Sequence, residues 1–179
     1  MSTEARSAVA PGGIAPPPRW ARVAAHLAVA STVPSSLWRA ALALGVPLGI
    51  SEQELLENYH SPGWGTVYML GLSALVECLA YLTLGLVRPW GEVAPRWIPV
   101  IGGRAVRPMA AVIPAAVGAG ILTLLWWSQL VVVLWVPHEH DAPYGAYRAF
   151  MLACYTPLLL WGPLLAAVTV SYHRRHRTA

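Results

Sequence analysis

Four long stretches of the chain carry almost no charge, and they limit what it can fold into. They cover residues 23–50, 64–87, 109–136 and 149–170. The hydrocarbon core of a bilayer takes about 20 helical residues, so each stretch is long enough to cross it. Lipid offers the backbone no hydrogen-bond partner, so a spanning segment is a helix or part of a closed barrel, and four segments are too few to close one. The sequence therefore predicts an all-α, polytopic membrane protein built as a four-transmembrane-helix bundle.

Composition excludes the two main alternatives. Of the 179 residues, 56% are hydrophobic and 11% are charged, and all twelve basic residues other than histidine are arginines. A soluble domain has about a quarter of its residues charged. A disordered chain combines low hydrophobicity with high charge. The chain fits neither class.

The arginines between the four stretches predict the orientation. Three arginines precede the first stretch, none lies in the first connection, four lie in the second connection, and three follow the last stretch. Under the positive-inside rule, both termini and the second connection are cytoplasmic. We expect residues 1–22 to form a disordered cytoplasmic arm, 23–172 the transmembrane domain, and 173–179 a basic cytoplasmic tail.

Two charges interrupt the apolar stretches, Arg39 in the first and Glu77 in the second. A lone charge inside a membrane helix costs about 2.5 to 3.5 kcal/mol on insertion scales. Counted from the outer ends of their spans, Arg39 lies roughly 15 Å deep and Glu77 roughly 20 Å deep. Because the two spans are joined by a short connection, we predict that these side chains pair inside the bundle.

Polar residues near this pair predict a cavity. Ser73, Glu77 and Tyr81 follow one another at every fourth position and so share one helix face. Gln129 in the third span and Tyr155 in the fourth lie in the outer half, where they can line the same space. Three interpretations stay open for Arg39 and Glu77. Their side chains form a buried ion pair that fixes helix register, they form a substrate or proton site, or they do not touch.

A metal site is a weaker hypothesis. His138 and His140 alternate in the third connection, and His60 in the first connection is a third candidate ligand for zinc or copper. The spacing does not match the His-Glu-x-x-His helix pattern, because residue 142 is alanine. A solvated turn before Pro143 explains these residues more simply. We therefore assign no metal and no cofactor.

Three segments carry a resemblance to a known group. They are PRWIPVIGGRAVRP at 95–108, SSLWR at 35–39 and GWGTV at 63–67. Together with the absence of lysine, they resemble small integral membrane proteins of high-GC actinobacteria such as Streptomyces. The resemblance implies a four-span topology in a bacterial plasma membrane, and it implies no catalytic residues.

These features favour a non-enzymatic accessory, binding or permeability component of the membrane. The alternative is a membrane-embedded enzyme or a proton-coupled carrier for a lipophilic small molecule, in which Glu77 exchanges the proton and Arg39 sets its pKa. The expected partners are the lipid bilayer and a lipophilic small molecule or another membrane protein. Nucleic acid is not expected, because the arginines flank spans where anionic headgroups attract them at about 1 kcal/mol each.

Overall fold

The described part of the structure, a computed structural model, is helical. It describes residues 15–46, 48–93, 103, 106–135 and 145–177, and within these ranges there is no β-strand, only an isolated bridge between Leu48 and Ile50. Six α-helices follow one another within these described ranges. They are α1 (Arg19–Ala43), α2 (Glu52–Tyr59), α3 (Trp64–Thr83), α4 (Pro108–Trp135), α5 (Gly145–Tyr155) and α6 (Trp161–Arg177).

Among the described residues, three helical segments are long and apolar enough to cross a membrane. They are Trp64–Val87, Pro108–Trp135 and Tyr147–Arg177. The all-helical prediction is confirmed, and the first two segments match the predicted second and third spans closely. The third segment contains the predicted fourth span and continues beyond it to Arg177, so the described part of the predicted basic tail is helical.

The predicted first span, residues 23–50, is not among these three segments, and the helix in its place has different ends. Its helix, α1, begins at Arg19, directly after the extended residue Pro18. It ends at Ala43 and not at residue 50, because Gly45 takes a left-handed conformation with φ +83°. The amide of Val46 then donates to the carbonyl of Ala41 at 3.0 Å, which closes a Schellman motif.

Helix α1 occupies the centre of the described structure. It packs against α3 on one side and against α5 and α6 on the other, while α4 packs on α6. The buried face of α1 carries alanines together with Ser31, Thr32, Ser35, Ser36 and Arg39. In α4, by contrast, Ala119 alone is buried among the described side chains. The polar side chains of α1 are thus on its buried face and the most apolar helix, α4, is exposed, as expected when the solvent is lipid.

A proline divides the last long segment. Between α5 and α6, residues Thr156–Leu160 form a 3-10 turn that contains Pro157. Proline has no N–H and its ring collides with the carbonyl four residues earlier, so an α-helix cannot pass through unchanged. The hydroxyl of Thr156 donates to the carbonyl of Leu152 at 2.7 Å and satisfies one backbone group at the bend.

The first connection contains a helix, α2, that caps one end of the structure. The Ser51 hydroxyl accepts from the amide of Glu54 at 3.2 Å, and the Glu54 carboxylate accepts from the amide of Ser51 at 2.9 Å. This reciprocal capping box fixes the start of the helix. Leu55 is buried against Trp38 and Leu42 of α1, so α2 lies over the end of the bundle.

Arg175 connects the end of α6 to the segment after α3 at the opposite end of the structure. Its Nη2 donates to the carbonyl of Leu86 at 2.8 Å, and its Nη1 lies 3.5 Å from the carboxylate of Glu92. The hydroxyl of Tyr172, one turn earlier in α6, donates to the carbonyl of Gly91 at 3.3 Å. The end of α6 is therefore bonded to the segment that follows α3.

Candidate binding site

Arg39 is the buried charge near the middle of the bundle, with 6% of its surface exposed. Its guanidinium donates to three hydroxyls on three helices. Nε donates to Ser73 Oγ of α3 at 3.0 Å, Nη2 to Ser36 Oγ of α1 at 3.3 Å, and Nη1 to the Tyr155 hydroxyl of α5 at 3.3 Å. The guanidinium also lies 5.8 Å from the centroid of the Tyr155 ring, within cation–π range.

Helix periodicity explains why these hydroxyls are available. Ser36 precedes Arg39 by three positions in α1 and so lies on the same face. Ser73 uses its own proton to donate to the carbonyl of Met69 at 2.8 Å, which leaves its oxygen lone pairs for Arg39. Ser73 therefore accepts from the arginine without giving up its own bond to the backbone.

The predicted Arg39–Glu77 ion pair is wrong. Both residues are described, yet the bonds of Arg39 go to hydroxyls, and Glu77 Oε1 is buried with no hydrogen-bond partner. The predicted difference in depth, about 5 Å, is close to the pitch of one helical turn. The arginine meets Ser73, one turn before Glu77 in α3, and its bonds are satisfied there.

A groove of about 300 Å³ runs between α1 and α3 beside this cluster. Apolar side chains form most of its wall, and Glu77 is the charged residue among those that line it. Leu37, on its outer edge, is 64% exposed, so the groove is open on the side of the bundle. Its lining consists of Val33, Ser36, Leu37, Ala40, Ser73, Ala74 and Glu77.

The structure separates the other predicted site residues. Tyr155 joins Arg39 and Ser73, as described above. Tyr81 is 52% exposed and stacks on Trp90, with ring centroids 5.7 Å apart, so it lies outside the groove lining. Gln129 is exposed on α4. The prediction of one cavity lined by all these side chains is therefore too broad.

Sequence reasoning missed an aromatic cluster above Arg39. The Trp38 ring lies 5.5 Å from the ring of Tyr155, 6.0 Å from that of Tyr147 and 6.4 Å from that of Tyr59. The hydroxyls of Tyr59 and Tyr147 are 2.9 Å apart. The cluster holds α2 and α5 against α1 and closes the bundle above the arginine. A tryptophan directly before a buried arginine was the available signal.

The metal hypothesis gains no support from the described residues. No group of three or more His, Cys, Asp or Glu side chains in those ranges is placed to hold a metal ion. His60 is exposed at the left-handed end of α2, with φ +51°. His138 and His140 lie outside the described residues.

Comparison with protein-family models, with curated protein sequences and with solved structures finds no match for this chain. The features that bear on function are the groove and the cluster of Arg39 with Ser36, Ser73 and Tyr155. The groove is apolar and open at the side, and Glu77 is among the residues that line it.

Proposed function

We propose that the chain is a multi-pass protein of the bacterial plasma membrane that binds a lipophilic small molecule in the groove between α1 and α3. It acts there as a non-enzymatic binding, accessory or permeability component. The observation that carries the proposal is Glu77, whose Oε1 is buried without a hydrogen-bond partner at a groove with mostly apolar walls. An ionisable residue inside a membrane helix is expensive and is a functional candidate for that reason.

The proposed topology has four spans with both termini in the cytoplasm. Helix α1 supplies the first span, because its 25 residues measure roughly 37 Å along the axis and lie between α3 and α6. The charges it carries are either near its start, at Arg19 and Arg22, or enclosed, at Arg39. In this proposed topology, α2 lies outside the cell, and Arg175 with its contacts to Leu86 and Glu92 lies inside.

Cysteine labelling in intact cells tests this topology. In a background with Cys78→Ala and Cys154→Ala, a membrane-impermeant maleimide should label Glu57→Cys on α2 directly. It should label Arg107→Cys before α4 only after the cells are permeabilised. Direct labelling of Arg107→Cys with protection of Glu57→Cys would overturn the orientation. Labelling of both residues in intact cells would show that α3 does not cross the membrane between them.

Photolabelling tests the groove. A long-chain alcohol that carries a diazirine should crosslink to α1 and α3 of the purified chain in lipid nanodiscs, at peptides containing Leu37 and Ala74. Ala40→Trp, which fills the groove, should reduce this labelling to background. Leu44→Trp is the matched control, because Leu44 is exposed at the end of α1 away from the groove. Equal labelling of both variants would contradict the proposal.

The alternative is a proton-coupled carrier, or a membrane-embedded enzyme, that uses Glu77. The unpartnered carboxylate favours this alternative too, because a proton-exchanging group must not be held in a permanent ion pair. Arg39 is committed to three hydroxyls and does not touch Glu77. Proteoliposomes separate the two functions, since a carrier moves its ligand along an imposed pH gradient and a binding protein does not.

A further inference from the structure

We propose that the ligand of the α1–α3 groove is a lipophilic ammonium, an amine whose charged head donates hydrogen bonds to Glu77 while its hydrocarbon part lies along the groove. This inference rests on the proposed function and adds the chemical class of the ligand. It starts from the wall of the groove, in which Glu77 is the charged residue and Val33, Leu37, Ala40 and Ala74 are apolar.

Glu77 requires a donor. When it is ionised, a carboxylate has acceptor sites and no proton to donate. Glu77 lines the groove, and its Oε1 has no hydrogen-bond partner among the described residues. An ammonium group supplies N–H donors and a compensating positive charge, and such charge-assisted bonds are about twice as strong as neutral ones. A carboxylate or phosphate head would be repelled at the same place.

Arg39 does not take the place of this ligand. Its guanidinium is enclosed, donates to Ser36, Ser73 and Tyr155, and is not among the residues that line the groove. The hydroxyls of Ser36 and Ser73 stand between the arginine and the groove and accept from it. The hydrogen bonds of Arg39 thus go to these hydroxyls, and Glu77, which lines the groove, makes no bond to the arginine.

The size of the groove limits the hydrocarbon part. Ligand pockets measure about 300 to 1,000 Å³, and this one, at about 300 Å³, lies at the small end of that range. One alkyl chain or one ring system fits such a space. Because the groove is open beside the exposed Leu37, the ligand enters from the lipid phase and longer chains extend into it.

Three photoprobes that differ only in the head group test the inference. They are a dodecyl amine, alcohol and carboxylate, each with a diazirine at the same carbon, applied to the full chain in nanodiscs of zwitterionic phosphatidylcholine. Intact mass gives the labelled fraction, and peptide mapping gives the site. In the wild-type chain the amine should label the groove about tenfold more than the alcohol, as expected for one charge-assisted bond, and the carboxylate least.

Variants connect this preference to Glu77. Glu77→Gln should remove the advantage of the amine and leave labelling by the alcohol unchanged, whereas Glu57→Gln, on the exposed surface of α2, should change neither. The ratio of amine to alcohol within one variant cancels differences in lipid partitioning. The wild-type comparison stands by itself if Glu77→Gln fails to fold.

The outcomes are distinguishable. Groove labelling by the alcohol with no advantage for the amine would overturn the ammonium assignment and leave the proposed function intact. An amine advantage that persists in Glu77→Gln would also overturn the assignment, because another group would be responsible. Failure of all three probes to label the groove would overturn the proposed function itself.

Discussion

Replacing Gly162 by alanine should lower the free energy of unfolding by about 3 kcal/mol, because it forces α4 away from α6. A Cβ at position 162 would lie 2.7 Å from the backbone nitrogen of Thr123 and 3.0 Å from the carbonyl oxygen of Ala119. These atoms belong to the backbone of α4 and cannot move aside as a side chain would. Ala119 is also the buried side chain of α4, so the clash falls where this helix is attached.

A second glycine provides the control. Gly120 lies in α4, and a Cβ added there meets nothing within 4 Å. Gly120→Ala should leave stability unchanged or raise it by about 0.5 to 1 kcal/mol, the ordinary helix preference for alanine over glycine. Unfolding in mixed micelles with increasing dodecyl sulfate, followed by tryptophan fluorescence, measures both variants. Equal losses would show that α4 and α6 do not approach closely at Gly162.

Replacing Arg39 by methionine should also cost about 3 kcal/mol of unfolding free energy. The change removes three hydrogen bonds from a charged donor, each worth about 1.5 to 3 kcal/mol. It also relieves the cost of a charge inside the bundle, about 2.5 to 3.5 kcal/mol, which offsets roughly half of the loss. Arg39→Lys should lose about 2 kcal/mol, since one ammonium cannot reproduce the guanidinium fork that reaches Ser36, Ser73 and Tyr155 together.

Combination with Glu77→Gln shows whether the two charges interact. Since Arg39 and Glu77 make no direct bond, the stability effects of Arg39→Met and Glu77→Gln should add within about 0.5 kcal/mol in the double variant. The same dodecyl sulfate titration provides the measurement, and Ser73→Ala serves as a positive control that should couple to Arg39→Met. A coupling above about 1 kcal/mol between the two charged positions would show that Arg39 and Glu77 form an ion pair after all.

The spans were predictable where apolar residues run without interruption. The second and third predicted spans match their segments closely because no left-handed glycine interrupts them, although the second contains Glu77. The end of α1 was not predicted, since Gly45 ends it although the apolar residues continue to residue 50. The helix in the first connection was missed although Ser51 and Glu54 have the spacing of a capping box.

The structure brings together Arg39, Ser73 and Tyr155 from the predicted set, while the predicted partner of Arg39 is wrong. Helix spacing placed Ser73 and Glu77 on one face, and both line the groove. Counting residues from the end of a span gives the depth of a side chain to within about one helical turn. Ser73 and Glu77 are one turn apart, so the count cannot tell which of them Arg39 reaches. Gln129 could not be oriented, because α4 is apolar on all sides and its sequence has no polar face that indicates its rotation.

The enclosed position of α1 has a consequence for biogenesis. This helix leaves the ribosome before the rest of the bundle, yet the side chains that surround Arg39 belong to α3 and α5, which are synthesised later. A nascent α1 therefore meets the translocon with its arginine and serines uncovered, and lateral release into lipid is unfavourable at that stage. We expect α1 to be retained at the insertion machinery until α3 has emerged, so that the first two long helices enter the bilayer as a pair.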